Sequence, residues 1–188
     1  MADPIIFASG ESFHAWLLRH GTDASEIWLR LAKKAASEQT LNYAQALEVA
    51  LCHCWIDGVK KPDRDEHFLQ RFTPRRASSS WSKINREKAE ALIAQGRMGE
   101  GGSAVISKAK ANGTWDRAYA GSATIDVPED FVVALKHNKA AAAFFGKLDR
   151  QNRYAVLYRI GAVKKAETRA RKIIQFVEML AKGEKFYP

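Results

Sequence analysis

Between residues 41 and 73 the apolar side chains change their period, and that change limits the folds open to this chain. Over 41–54, Tyr43, Ala46, Leu47, Ala50, Leu51 and Cys54 recur at helical spacing on one stripe, and Asn42 is suited to cap the predicted helix. The runs 55–61 and 66–73 that follow read instead as strands, the second setting Phe68, Gln70 and Phe72 against Leu69, Arg71 and Thr73, with the turn-like Pro62-Asp63-Arg64 between them. An earlier run, 26–34, also alternates: Ile27, Leu29 and Leu31 point one way, Trp28 and Arg30 the other. Three short strands around an amphipathic helix predict a small antiparallel sheet with helices against it.

The remainder reads as helix. Over 11–20, Phe13, Trp16 and Leu17 share a face and Gly21 follows as a stop. Ser82 is placed to cap a helix over 83–95, with Ala89, Leu92 and Ile93 inward and Gly96 closing it. Gly99, Gly101 and Gly102 read as a flexible joint before a short helix over 103–111, ended by Asn112-Gly113. The aperiodic stretch 120–127 reads as a linker. Helices over 129–137, with Pro128 in its first turn, 140–148, 152–160 and 166–182 follow. The last carries Ala166, Ala170, Ile173, Ile174, Val177, Leu180 and Ala181 as an apolar row, with Gly183 just past its end. The expected fold class is α+β: a small antiparallel sheet with flanking helices, then a C-terminal helical bundle. The expected domains are 1–120 and 121–188, the second packed against the first.

At 188 residues the chain can bury a sizeable core without a metal or disulfide. No apolar run approaches the ~20 residues of a membrane span, so no membrane insertion is expected. The opening Met1-Ala2-Asp3-Pro4 lacks the basic start and apolar core of a signal peptide, which leads to an expectation of a cytoplasmic protein. Cys52 and Cys54 are too close in sequence for an ordinary bridge. On a helix their thiols diverge by about 200°. His14, His20, His67 and His137 are scattered, and neither a phosphate-binding nor a dinucleotide-binding glycine motif is present, so no metal and no cofactor are expected.

Charge is more selective. The formal net charge is +9, yet residues 1–58 carry 4 basic and 7 acidic side chains, so the positive excess begins at Lys60. An anionic partner fits such a field, although ordinary solvated surface produces it too. Trp55-Ile56-Asp57-Gly58 combines an apolar anchor with turn chemistry, and Asp57 is the candidate acid or base. Arg71, Thr73, Arg75 and Arg76, followed by Trp81, Ser82 and Asn85, would make an oxyanion cradle at a strand exit ended by Pro74. The alternative for these residues is an ordinary loop with solvated arginines. Trp115 and Tyr119, four apart, would either pack on the sheet or wall a pocket. Lys164, Lys165, Arg169, Arg171 and Lys172 crowd the start of the last helix, where they could meet nucleic-acid phosphates or form the charged outside of a docked helix.

In this order, several segments resemble the YdeI/OmpD-associated family of bacteriocin-protection proteins. They are Ile27-Trp28-Leu29, residues 41–47, Trp55-Ile56-Asp57-Gly58, the run 71–76, Ser80-Trp81-Ser82 with Asn85, Gly96-Arg97-Met98, residues 113–116 with Tyr119, and residues 167–173. One departure is His53-Cys54, where the resemblance leads us to expect an aromatic residue and a glycine. The resemblance implies stress or antimicrobial-peptide resistance and contact with a porin, the latter disfavoured without export. It implies no catalytic residue.

The reading that follows is a cytoplasmic protein binding a small anionic ligand in a pocket between the sheet and the helical half. Arg71, Arg75 and Arg76 would hold the anion, Asp57 would orient a polar group, and Trp55, Trp81 and Trp115 would form the walls. The alternatives are an enzyme on a small anionic substrate, with Asp57 as acid or base partnered by Cys54 or His67, and a nucleic-acid-binding protein using the basic C-terminal helices.

Overall fold

The computed structural model describes residues 3–37, 40–63 and 66–188, so Arg64 of the expected turn lies outside the described residues. Its elements run α1 (Gly10–His20), β1 (Ile27–Ala32), α2 (Tyr43–Cys52), β2 (Trp55–Pro62), β3 (His67–Pro74), α3 (Lys83–Ala94), α4 (Glu100–Ala111), α5 (Glu129–Lys136), α6 (Lys139–Lys147), α7 (Arg150–Gly161) and α8 (Ala166–Ala181). This is the α+β mixture expected, with helices toward the C-terminus. The chain divides into two compact units, Met1–Ala118 and Tyr119–Pro188.

In the first unit the strands form one antiparallel sheet in the order β1-β3-β2. Register pairs Ile27 with Phe72, Leu29 with Gln70 and Leu31 with Phe68, so these six share the face that joins the helices in a core. The free side of β1 is covered by the N-terminal segment: Ile5 N–H donates to Trp28 O at 2.8 Å, and Arg30 N–H donates to Ile5 O at 2.9 Å. On the opposite face Trp28 is also buried. Its Nε1 donates to Glu26, and Lys61 Nζ stands 4.8 Å from its ring centroid.

The local rules hold at the helix starts. Asn42 and Ser82 accept N–H bonds from Gln45 and Asn85 respectively, and Ser9 forms a reciprocal box with Ser12. Several expectations are corrected. The helix read through Cys54 ends at Cys52. Cys54 sits at φ +55°, the left-handed conformation in which helix ends usually place glycine. Its N–H donates to Leu51 O and its own C=O accepts Arg75 N–H, so the turn is pinned from both sides despite the side chain.

Asp57-Gly58 is not a turn but lies inside β2, at a register irregularity between Asp57 and Lys60. The glycine-rich stretch is not a joint either: α4 runs through Gly101 and Gly102. Gly102 is buried, and a Cβ there would stand 2.8 Å from the Cys52 carbonyl oxygen. Close packing, not flexibility, is the reason for glycine at that position.

The second unit contains α5 to α8 around a core of Phe131, Phe145, Leu157, Ile160, Ile173, Phe176 and Leu180 among others. The buried row of α8 is Ile173, Phe176 and Leu180. Ile174, placed inward by the sequence reading, is 58% exposed, and Ala166 and Ala170 are exposed too. Phe176 takes the buried position because its i−3 and i+4 neighbours, Ile173 and Leu180, define the stripe. Asn152 is buried, and its side chain accepts Tyr187 N–H at 2.9 Å, which ties the C-terminal tail to α7.

Candidate functional site

The sequence-derived cradle separates into several places. Arg75 is buried, with its guanidinium 3.8 Å from the Trp81 ring centroid and Nη1 donating to Ser80 O. Trp81 meets Trp115 edge-on at 4.7 Å. These three are thus brought together, as a packed cluster in the core of the first unit. Ser82 caps α3 through Asn85 N–H. Arg76 is exposed, and Thr73 is half-buried in β3. Arg71 lies on the outer face of the sheet with Nη1 3.4 Å from Glu26. Trp55 is buried against Trp16, and Tyr119 meets Tyr158 edge-on in the second unit.

Asp57 stands apart from all of these. It is on the helical side of the sheet, where its Oδ2 accepts the Tyr43 hydroxyl at 2.9 Å. Burial and the adjacent carboxylate both push the Tyr43 phenol up, so it stays protonated and donates. Of the two partners considered for Asp57, Cys54 is buried, and its Sγ donates to Gly102 O at 3.1 Å. Burial pushes that thiol up to about 11, with Arg75 pulling the other way, so it is no thiolate at neutral pH.

What surrounds Asp57 was not visible in the sequence. Three cavities adjoin there, each bordered by Phe68. One, of about 580 Å³, is lined by Lys33, Lys34, Lys60, Lys61 and Pro62. The second, about 380 Å³, adds Thr40, Asn42 and Tyr43, and the third, about 350 Å³, is lined by Tyr43, Asp57, Gly58, Lys60 and Gln70. The ends of β1 and β2 supply the lysines, the start of α2 supplies Tyr43, and Phe68 of β3 forms the floor under Lys60 Nζ at 4.0 Å. Buried Gln70 holds the β2 irregularity open by donating from Nε2 to Gly58 O at 3.1 Å. Two further carboxylates lie at this end of the sheet: Asp63 pairs with Arg30 at 2.6 Å, and Glu66 accepts the Ser37 hydroxyl at 2.8 Å.

A second cavity region, of about 750 Å³, lies between α1 and α2 and is lined by Glu11, His14, Glu48, Cys52 and Arg97 among others. His14 Nδ1 and His53 Nε2 are 2.8 Å apart. Burial, and then His14, hold the His53 imidazole below its ordinary value. Glu48 pairs with Arg97 at 2.6 Å, so with Glu11 the lining has more negative than positive charge and does not suit an anion. No group of three metal-ligating side chains occurs among the described residues. No helix among them is long and apolar enough to cross a membrane. The basic start of α8 is partly consumed internally, because Arg169 grips Asp130 through Nε and Nη2 at 2.6 and 3.0 Å and donates to Ile160 O.

Comparison with known proteins adds two matches. Residues 5–105 match the family described as Domain of unknown function (DUF8412), and residues 124–183 match the family described as Bacteriocin-protection, YdeI or OmpD-Associated. The YdeI/OmpD-associated resemblance therefore holds in the helical C-terminal stretch. No curated protein and no solved structure matches the chain.

Proposed function

The chain belongs to the family matched over residues 5–105, whose description assigns no activity, and from the geometry of that stretch we propose that it binds a small anionic ligand in the lysine-bordered trough beside Asp57. The observation that carries this reading is the convergence of Lys33, Lys34 and Lys60 on adjoining cavities around one aromatic floor. The linings hold more lysines than carboxylates, which favours anions, and the cavity sizes fall in the range of about 300–1,000 Å³ usual for small-molecule sites. The anion class is thus the one read from the sequence, but its seat moves from the arginines of 71–76 to the lysines of β1 and β2. Arg75 and its tryptophans then support the first unit from within. A role in bacteriocin or stress resistance, exercised in the cytoplasm, belongs to the same proposal and draws on the family name matched at 124–183.

The test is calorimetric titration of the full chain with pyrophosphate. Wild type is expected to bind, and Lys34→Ala/Lys60→Ala to bind at least about tenfold more weakly, as the loss of charge-assisted bonds requires. Arg76→Ala, at an exposed position outside the trough, is expected to match wild type. Equal affinity in the lysine variant and wild type would refute the seat.

A further inference from the structure

The trough is chemically two-ended, and this says more about its ligand than its charge does. At one end stand Lys33 and Lys34; at the other stand Asp57, Tyr43 and Gln70, with Lys60 and Phe68 common to both. A carboxylate accepts hydrogen bonds, so Asp57 selects N–H or O–H donors at its end. Asp57 accepts one hydrogen bond from Tyr43 and keeps lone pairs on both oxygens for further donors. Between the ends lies Thr40, whose Oγ1 is buried and has no hydrogen-bond partner among the described residues. A buried hydroxyl left unsatisfied is costly, and a ligand oxygen reaching it would relieve that cost. The Phe68 ring, already holding a lysine ammonium over its face, offers a flat surface to an aromatic ring once that lysine turns to a phosphate.

One ligand class carries all of these parts in that order. On the reading of the trough as an anion site, we propose that the ligand is a nucleoside 5′-monophosphate. The lysines hold its phosphate, Thr40 meets an oxygen of the phosphate or sugar, the base lies over Phe68, and Asp57 accepts from the base N–H groups. Guanine presents adjacent ring and amino donors to a single carboxylate, which makes GMP the probe of choice.

The experiment is calorimetric titration of the full chain with GMP, guanosine and ribose 5-phosphate, in wild type and in Asp57→Asn. GMP is expected to bind at least about tenfold more tightly than either fragment, since base stacking and the Asp57 bonds add to the phosphate contacts. Asp57→Asn is expected to cut that advantage to the share that stacking supplies, without weakening ribose 5-phosphate. Equal affinity for GMP and ribose 5-phosphate in wild type would overturn the nucleotide assignment and leave the anion site standing. Failure of both phosphates to bind would overturn the anion site as well. Tighter binding of GMP that survives Asp57→Asn intact would also overturn the assignment. The wild-type comparison needs no variant, so the proposal remains testable if Asp57→Asn unfolds.

Discussion

Replacing Gly102 and Gly101 by alanine, one at a time, tests the packing of α4 with a built-in control. Glycine inside a helix normally costs about 0.5–1 kcal/mol relative to alanine, so both substitutions should stabilise if helix propensity alone decided. At Gly101 nothing lies within 4 Å of the added Cβ, and a gain of about 0.5 kcal/mol is expected near the helix start. At Gly102 the Cβ would stand 2.8 Å from the Cys52 carbonyl oxygen and collide with Met98 Sδ. Met98 can turn aside; the carbonyl cannot, because it accepts Gly99 N–H and closes α2 onto α4. Relief requires α4 to retreat, which also stretches the Cys54 Sγ–H bond to Gly102 O. Overpacking of this kind costs about 1–3 kcal/mol and overrides the propensity gain. Gly102→Ala is therefore expected to be about 2 kcal/mol less stable than Gly101→Ala. Urea unfolding followed by tryptophan emission reads this cleanly, since all five tryptophans, at 16, 28, 55, 81 and 115, lie in the first unit. Equal stability of the two variants, or a more stable Gly102→Ala, would refute the packing account.

Three further outcomes are expected. Arg75→Ala should destabilise the first unit by about 2 kcal/mol by removing a buried cation from the Trp81 face, whereas Arg76→Ala should stay within about 0.5 kcal/mol of wild type; urea unfolding distinguishes them. Since His53 is held below its ordinary value, the unfolded chain takes up that proton first. First-unit stability should thus be full above about pH 7 and fall as pH drops through about 6.5, and His53→Gln should flatten that slope in melting curves by tryptophan emission. Asp130, held below the usual carboxylate range chiefly by the Arg169 hydrogen bonds, stabilises the second unit above its unfolded value of about 3.9, and that contribution is lost as pH falls below it. Half-exposed as it is, the pair should give at most about 1 kcal/mol, so Asp130→Asn should lower the far-ultraviolet circular-dichroism melting temperature slightly at pH 7 and not at pH 2.

The elements with a strong period were legible: α1, α2, all three strands and the four C-terminal helices lie within a few residues of where their apolar patterns put them. The misreadings share one cause, which is that local chemistry was overridden by a distant partner. Asp57-Gly58 has turn composition, but β3 pairs with it and Gln70 satisfies the exposed carbonyl. The glycines of α4 look flexible until the Cys52 carbonyl is placed against them. Ile174 loses its place to Phe176 because the neighbours of α8 decide which side of a broad apolar face is covered. For the site, the aromatic-arginine motif was conspicuous but serves packing through Arg75 and Trp81. Asp57 was singled out from its sequence context and borders a cavity, while Lys33 and Lys34 were not singled out and Lys60 entered only as the start of the positive excess. Lys33 and Lys34, just past β1, precede Lys60 of β2 by 27 and 26 residues, and only the sheet register brings them to one trough. The His14–His53 pair, from two helices, left no spacing signal for the same reason.

The central claim is that anions bind at the lysine trough and not at the arginine-rich strand exit. The most direct test is amide chemical-shift mapping of the isotopically labelled full chain during titration with pyrophosphate. The account requires saturable shifts at Lys33, Lys34, Tyr43, Lys60 and Phe68, with Arg75, Arg76 and Ser82 unmoved. Shifts centred on Arg75 to Asn85, or none at the lysines, would contradict it.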